Sequence, residues 1–283
     1  MEGLDTQFVG RNPVYLPTVG STNDEARRLA QAGAPEGTLV IADCQTAGRG
    51  RLDRRWEAPP GSSLLLSLLF RPPLAPHQVQ QLTMVCGLAV VDAIEAETGL
   101  RAGLKWPNDV LIGEAKAGGI LTEIVLAGQQ VDYAVVGIGL NVNLDPGHLP
   151  PNLLTAATSL SHQLGRPVAR LPLLWALLRA TETRYLALKA GHSPQAEWAA
   201  RLVTLGRPVT VTVPDGGRGG PAGPVQEEGD HRGSPLREGG VMEGVAEGVD
   251  ANGALLVRLG DGRLETVVAG DVTLRSHAGT GSD

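Results

Sequence analysis

The apolar positions along the chain recur with two periods, and each period marks its own kind of element. Ser63 to Phe70 is apolar apart from two serines, has strand length, and is stopped by Arg71-Pro72-Pro73. Pro76 to Thr98 places Val79, Leu82, Val85, Cys86, Ala89, Val90, Ala93 and Ile94 at helical spacing, and Gly99 closes it. Upstream, Ser21-Thr22-Asn23-Asp24-Glu25 opens a helix that ends near Gly33, with Asn23 as N-cap and acids in the first turn. Gly37 to Asp43 reads as a strand, and three more strands are predicted near 109–112, 117–126 and 131–142. Helical runs fill about 153–164, 170–189 and 194–204, and residues 1–20 read as a loosely ordered lead-in.

The pattern breaks at 214–240, where nine of 27 residues are Gly and four are Pro. Such a stretch buries too little apolar surface to offset its ordering entropy, so it is predicted to be disordered. Strand-like pieces flank it at Pro208–Val213, Met242–Val249, Ala254–Leu259 and Arg263–Val268, with hairpin turns at Asn252-Gly253 and Asp261-Gly262. The expected organisation is a unit over 1–204, a small all-β unit over 205–275 carrying the disordered insertion, and a disordered tail at 276–283.

Composition excludes several classes. With 24 Lys+Arg against 30 Asp+Glu the net charge is −6, so no chain-wide basic field exists for nucleic acid. Hydrophobic residues at 42% and charged residues at 19% of 283 place the bulk of the chain among globular proteins. No uninterrupted apolar run approaches the roughly 18–20 residues of a membrane span, and the first ten residues carry Glu2 and Asp5 and lack a basic start. Two cysteines, Cys44 and Cys86, build neither a disulfide framework nor a four-thiolate zinc site. A cytoplasmic protein without membrane association is expected. The six histidines are scattered, and no Walker phosphate loop, nucleophile elbow or His-Glu-x-x-His is present.

Three clusters carry chemistry. Gly48-Arg49-Gly50-Arg51-Leu52-Asp53-Arg54-Arg55-Trp56 interleaves glycines with four arginines and ends in an aromatic. Glycines let backbone approach a ligand, arginine forks grip phosphate or carboxylate, and Trp walls a pocket. A solvated basic turn is the plain alternative. Lys105-Trp106-Pro107-Asn108-Asp109 and Lys116-Ala117-Gly118-Gly119-Ile120-Leu121-Thr122-Glu123 put cations and a carboxylate beside strand ends. Gly137-Ile138-Gly139-Leu140-Asn141-Val142-Asn143 sets two glycines in an apolar strand, which marks close approach by a ligand or another backbone.

In this order, with Ser21-Thr22-Asn23 ahead of them and Val272-Thr273-Leu274-Arg275 behind, the motifs resemble those of biotin protein ligases over about 15–275. The resemblance implies an α+β fold: a central mixed sheet flanked by helices, of the class II synthetase-like kind, followed by an SH3-like barrel. It implies a ligase that uses biotin and Mg²⁺-ATP to form biotinyl-5′-AMP and then biotinylates one lysine of a biotin carboxyl carrier protein. Under it, Ser21, Thr22, Asn23, Gln45, Gly48, Arg49, Gly50, Arg51, Trp56, Lys116, Gly119, Ile120, Leu121 and Gly137 bind biotin. Arg51, Arg54, Trp56, Asn108, Asn141 and Arg275 bind ATP, and Asp109 and Asn141 lie at the metal side, meeting Mg²⁺ through phosphates. Arg51, Lys116 and Asp109 are the catalytic candidates, Asp109 as the group that orients or deprotonates the acceptor lysine.

Two departures stand out. Asp53 occupies a loop position where the family usually has Gly, which puts a carboxylate among the phosphate-binding arginines. Only 20 residues precede Ser21, too few for the winged helix of the bifunctional members, so no operator DNA binding is expected. A homodimer through the central sheet is compatible with the sequence. The rival readings are a lipoate- or octanoate-type acyl ligase, a non-catalytic biotin-binding sensor, and a nucleic-acid module built on Arg49 to Arg55.

Overall fold

The structure, a computed structural model, describes residues 3–52, 54–148, 156–213 and 240–274. Asp53, Arg275, the glycine-rich stretch 214–239 and the tail therefore lie outside the described residues.

A seven-stranded sheet runs in the order β1-β2-β3-β7-β6-β5-β4. Its strands are β1 (Pro13–Val19), β2 (Leu39–Gln45), β3 (Ser63–Phe70), β4 (Gly103–Lys105), β5 (Asp109–Ile112), β6 (Ala115–Ala127) and β7 (Gln130–Asn141). Only β1 and β2 pair in parallel, which makes the sheet mixed. Among the described residues the α-helices are α1 (Thr22–Gln31), α2 (Gln80–Thr98), α3 (Leu160–Leu164), α4 (Arg170–Lys189) and α5 (Gln195–Arg201).

β3 is buried at every position, because Leu64, Leu66, Leu68 and Phe70 enter the main core while Leu69 enters a smaller core under α1. That two-sided burial is why its sequence is a continuous apolar run. α2 is apolar almost all round because it lies between the sheet and α4. By length and composition Pro76–Thr98 is apolar enough to cross a membrane, yet most of it is buried in this core. Gly99 ends it in the left-handed conformation at φ 73°, which glycine adopts without strain.

The segment expected to be a loose lead-in is ordered instead. β1 pairs along β2 from Pro13 to Val19, and Leu4 and Val9 are buried. The backbone N–H groups of Gln7, Phe8 and Val9 all donate to the buried Glu182 carboxylate of α4, at 2.7, 2.8 and 3.0 Å. This anchor sits 170-odd residues away in sequence, so local patterning could not reveal it. Hydrogen bonds to a charged group contribute about 1.5–3 kcal/mol each at most and are not additive. Glu182→Ala is expected to destabilise the fold by about 3 kcal/mol, and Glu182→Gln by roughly half of that. Urea denaturation of the two variants checks it; a loss below about 0.5 kcal/mol for Glu182→Ala contradicts the anchor.

Asn23 does not cap α1. Ser21 holds the extended cap position without a side-chain bond, and the Asn23 amide is drawn inward to β6. The helical run expected over 153–164 is helical only from Leu160; residues 156–159 are extended and clip onto Lys116 by two backbone bonds, and 149–155 lie outside the described residues. The run expected over 194–204 ends at Arg201, since Leu202 and Val203 pair with Leu104 of β4. The strands β1, β4 and the C-terminal strand at Asp271–Leu274 escaped the sequence reading, and the strand expected at 37–43 lies two residues later.

A second, five-stranded antiparallel sheet has the order β11-β10-β9-β8-β12. It comprises β8 (Pro208–Thr212), β9 (Val241–Val249), β10 (Leu255–Leu259), β11 (Leu264–Val267) and β12 (Asp271–Leu274). Gly253 and Gly262 make the predicted turns at φ 89° and 87°.

Candidate active site

The site lies on the face of the large sheet that α1 covers only in part. Side chains alternate along a strand, so Gly137, Gly139 and Asn141 of β7 share this face. The register sets Leu121 beside Gly137, and Gly119 beside Gly139. The second of these rows continues through Asp109 of β5 to Lys105 of β4. A floor without side chains thus runs into a wall of charge.

The glycines are required by what lies on them. A Cβ at Gly139 would sit 2.5 Å from the Trp56 indole, and one at Gly137 would collide with Asn23 Oδ1. The two glycines that weaken the apolar strand therefore mark close approach of side chains that line the site.

The cavity above this floor measures about 570 Å³. It brings together Ser21, Thr22, Asn23, Gln45, Arg49, Gly50, Arg51, Arg54, Trp56, Asn108, Asp109, Lys116, Gly119, Ile120, Leu121, Gly137 and Asn141. Of the described candidates only Gly48 stays out of the lining. It sits behind Trp56, whose backbone N–H donates to the Gly48 carbonyl at 3.0 Å, and a Cβ there would strike the Trp56 carbonyl oxygen.

At one end the polar groups hold each other in fixed orientations. The Thr22 backbone N–H and hydroxyl both donate to Gln45 Oε1, at 2.8 and 3.1 Å. The buried Ser67 hydroxyl lies 2.8 Å from Thr22 Oγ1 and 2.6 Å from Asn23 Oδ1, and Asn23 Nδ2 donates to Glu123 at 2.7 Å. Such an end suits a small, neutral, hydrogen-bonding group.

The arginine loop folds back as a hairpin, with Gly50 N–H on the Arg54 carbonyl at 2.7 Å and an Arg49–Arg55 bridge; Leu52 takes a left-handed φ of 55°. Its four arginines have different tasks. Arg49 also reaches Glu123, and its bidentate grip on Asp24 at 2.6 and 2.7 Å holds the Asp24 carboxyl below its usual range. Arg55 reaches the Thr46 carbonyl and Glu57. Arg54 pairs with Asp271 of β12. Arg51 is largely buried, its Nη1 without a hydrogen-bond partner among the described residues, and burial holds its guanidinium below the ordinary value, against the opposing pull of Asp271 and Asp109.

Lys116 Nζ lies 2.6 Å from Asp109 Oδ1 and 5.7 Å from the centre of a Trp56 ring, within cation–π range. Burial likewise lowers Lys105 relative to a free ammonium, and Asp109 opposes this. Among the described residues, Arg51, Arg54, Lys105 and Lys116 lie with the carboxylates Asp109 and Asp271, an excess of two positive charges that an anion would complement. Asn108 and Asn141 are tied by their amides to the Ile120 and Thr158 carbonyls at 2.6 and 3.1 Å.

Lys105, Asp271, Val272 and Thr273 also line the cavity and were not among the sequence candidates. Lys105 was legible as part of the Lys105-Trp106-Pro107-Asn108-Asp109 segment, but its place beside Asp109 depends on the three-residue β4. The β12 residues carry no sequence signal of their own.

An α+β fold with an acyl- and nucleotide-sized, cation-rich cleft over a glycine floor defines an acyl-ligase type of site. The sequence model of the Biotin/lipoate A/B protein ligase family matches residues 15–141, and that of the Biotin protein ligase C terminal domain matches 235–275. The chain is 37% identical over 229 residues to the bifunctional ligase/repressor BirA of Bacillus subtilis, covering 80% of this chain and 70% of that one. It is 34% identical over 260 residues to the biotin–[acetyl-CoA-carboxylase] ligase of Mycobacterium tuberculosis, covering 89% and 85%. The solved biotin protein ligase of Aquifex aeolicus in complex with biotin and ATP superposes with a TM-score of 0.71 at 29% identity, over 94% of this chain and 99% of that one. The chain belongs to the biotin protein ligase family.

Proposed function

We propose that the protein is an ATP-dependent biotin ligase acting on a biotin carboxyl carrier protein. Biotin and ATP first give biotinyl-5′-AMP and pyrophosphate. The adenylate then acylates one carrier lysine and releases AMP. The observation that carries this reading is the single cleft that joins a neutral hydrogen-bonding end to a cluster of four cations across a glycine floor.

Two anions, a carboxylate and a triphosphate, must meet there against their repulsion. Ser21, Thr22 and Gln45, with the backbone of Gly48 and Arg49, would take the ureido ring, and Asn23 would hold the wall beside it. Gly50, Trp56, Gly119, Ile120, Leu121 and Gly137 would enclose the valeryl chain. Arg51 Nη1, buried without a hydrogen-bond partner among the described residues, would receive the biotin carboxylate and the α-phosphate. Arg54 would exchange Asp271 for the triphosphate, with Asn108, Asn141 and Arg275 on the nucleotide side. Lys116 would stabilise charge developing on the reacting carboxyl and phosphate oxygens. Asp109 would hold Lys116 during adenylation and then orient or deprotonate the incoming lysine, because only the neutral amine attacks. Among the described residues no three His, Cys, Asp or Glu side chains cluster to hold a metal, and Asp109 is committed to Lys116. Mg²⁺ is therefore assigned to the substrate, arriving on the triphosphate, with Asp109 and Asn141 meeting it through phosphates.

Residues 1–204 form the catalytic unit in this reading, and the second sheet is an SH3-like barrel over 205–275 that closes the nucleotide side. A cytoplasmic location follows from the carrier substrate, and a homodimer through the large sheet remains part of the proposal. Single-turnover assays with α-labelled ATP and biotin, lipoate or octanoate test the function. Adenylate formed with biotin alone and discharged onto a carrier domain is the expected result. Adenylate with lipoate or octanoate but not biotin overturns the substrate assignment, and tight biotin binding without adenylate overturns catalysis.

A further inference from the structure

Trp106 lines the cleft together with the rest of its motif, yet its polar contacts go to the second sheet and the segment before it. It is 1% exposed. Its indole N–H donates to the Gly253 carbonyl at 2.9 Å, in the turn between β9 and β10. Its backbone N–H donates at 3.0 Å to the hydroxyl of Thr204, a fully buried residue in the segment that leads into β8. One residue therefore fastens the second sheet to the first at two points.

Both fastenings are tight. Gly253 has φ 89°, and a Cβ there would meet Gln80 at 2.9 Å and collide with Met84 of α2. Gln80 in turn donates to the Pro107 carbonyl at 3.0 Å, so turn, helix and motif form one block. Beside Thr204, the Val203 N–H donates to the Leu104 carbonyl at 2.8 Å. β8 pairs with β12 from Val209 to Thr212, and β12 presents Asp271, Val272 and Thr273 to the cavity, with Asp271 on Arg54.

We propose that Trp106 is a positioning residue for the nucleotide half of the site, acting through the second sheet: it fixes where β12 stands, and β12 fixes Arg54 and that wall of the cleft. The ureido end is built on α1, β2 and β3 and shares none of these fastenings. The effect of loosening Trp106 is therefore confined to ATP. This inference rests on the ligase reading above.

The test uses the full chain with Trp106→Phe, which keeps a ring and removes the indole donor, and Thr204→Val, which removes the second fastening. Losing one buried hydrogen bond corresponds to about a tenfold change in an equilibrium. The KM for ATP is expected to rise about tenfold in each variant, with biotin Kd by calorimetry within about twofold of wild type. In an Asp271→Ala background Trp106→Phe should add less than about twofold, because its route is already cut. Amide exchange in β12 should quicken in both variants. Equal weakening of biotin and ATP, or a full Trp106→Phe effect in the Asp271→Ala background, overturns the proposal. Should Trp106→Phe not fold, Thr204→Val decides by the same criteria. Wild-type enzyme that makes no adenylate refutes the ligase reading, and β12 exchange still decides the coupling.

Discussion

Lys116→Gln lowers the single-turnover rate of biotinyl-adenylate formation by about a thousandfold, the upper range for removing one preorganised donor to a developing negative charge. The size follows from where the ammonium is held. It is gripped by Asp109 at 2.6 Å and rests over the Trp56 ring, so it meets the reacting centre without reorganising. Gln keeps hydrogen-bond donors and most of the length but carries no charge. The substitution also leaves Asp109 unpaired beside two incoming anions, which raises the KM for ATP. Asp109→Asn combined with Lys116→Gln should recover that KM and leave the rate low. Rapid-quench measurement of both separates the two contributions, and a rate within tenfold of wild type for Lys116→Gln removes it from the chemistry.

The second large effect belongs to the cavity floor. Gly139→Ala places a methyl group 2.5 Å from the Trp56 indole, which must move. Trp56 lies on the arginine loop and is only half-buried, so the loop yields and the core does not. Overpacking costs of about 1–3 kcal/mol then appear in binding: biotin affinity falls about thirtyfold with the melting temperature little changed. Gly137→Ala supplies the contrast. Its methyl strikes Asn23, which Ser67 and Glu123 clamp in a buried network, so the cost appears as lost stability. Calorimetric titration and thermal melts of the two variants read the split. Equal loss of stability in both contradicts a mobile Trp56 over a rigid Asn23.

Much of the site was legible because its chemistry is written in contiguous runs. The arginine–glycine loop, the two lysine segments and the paired glycines each announce close approach or charge, and their order is that of one family. Long or strongly apolar segments, such as β3, α2 and α4, were equally plain. What patterning missed has a common cause. β1 and β4 are short or weakly apolar, and they are strands because neighbours pair with them. Residues 7–9 are anchored because Glu182, far along the chain, accepts their N–H groups. Asn23 looked like a cap because local sequence favours one, but burial gave its amide better partners across the sheet.

Sequence alone thus singled out most of the candidate residues that the fold gathers around the cleft, and the family to which the chain belongs, since those properties reside in residue types at fixed short spacings. The tertiary structure alone decided how the charges divide. It committed Arg49 to Asp24, set Arg54 on Asp271, left Arg51 Nη1 without a hydrogen-bond partner among the described residues, and brought Lys105 beside Asp109. The reason is physical: charge pairing depends on distance and burial, and both are set by strand register and by the seating of one sheet on another.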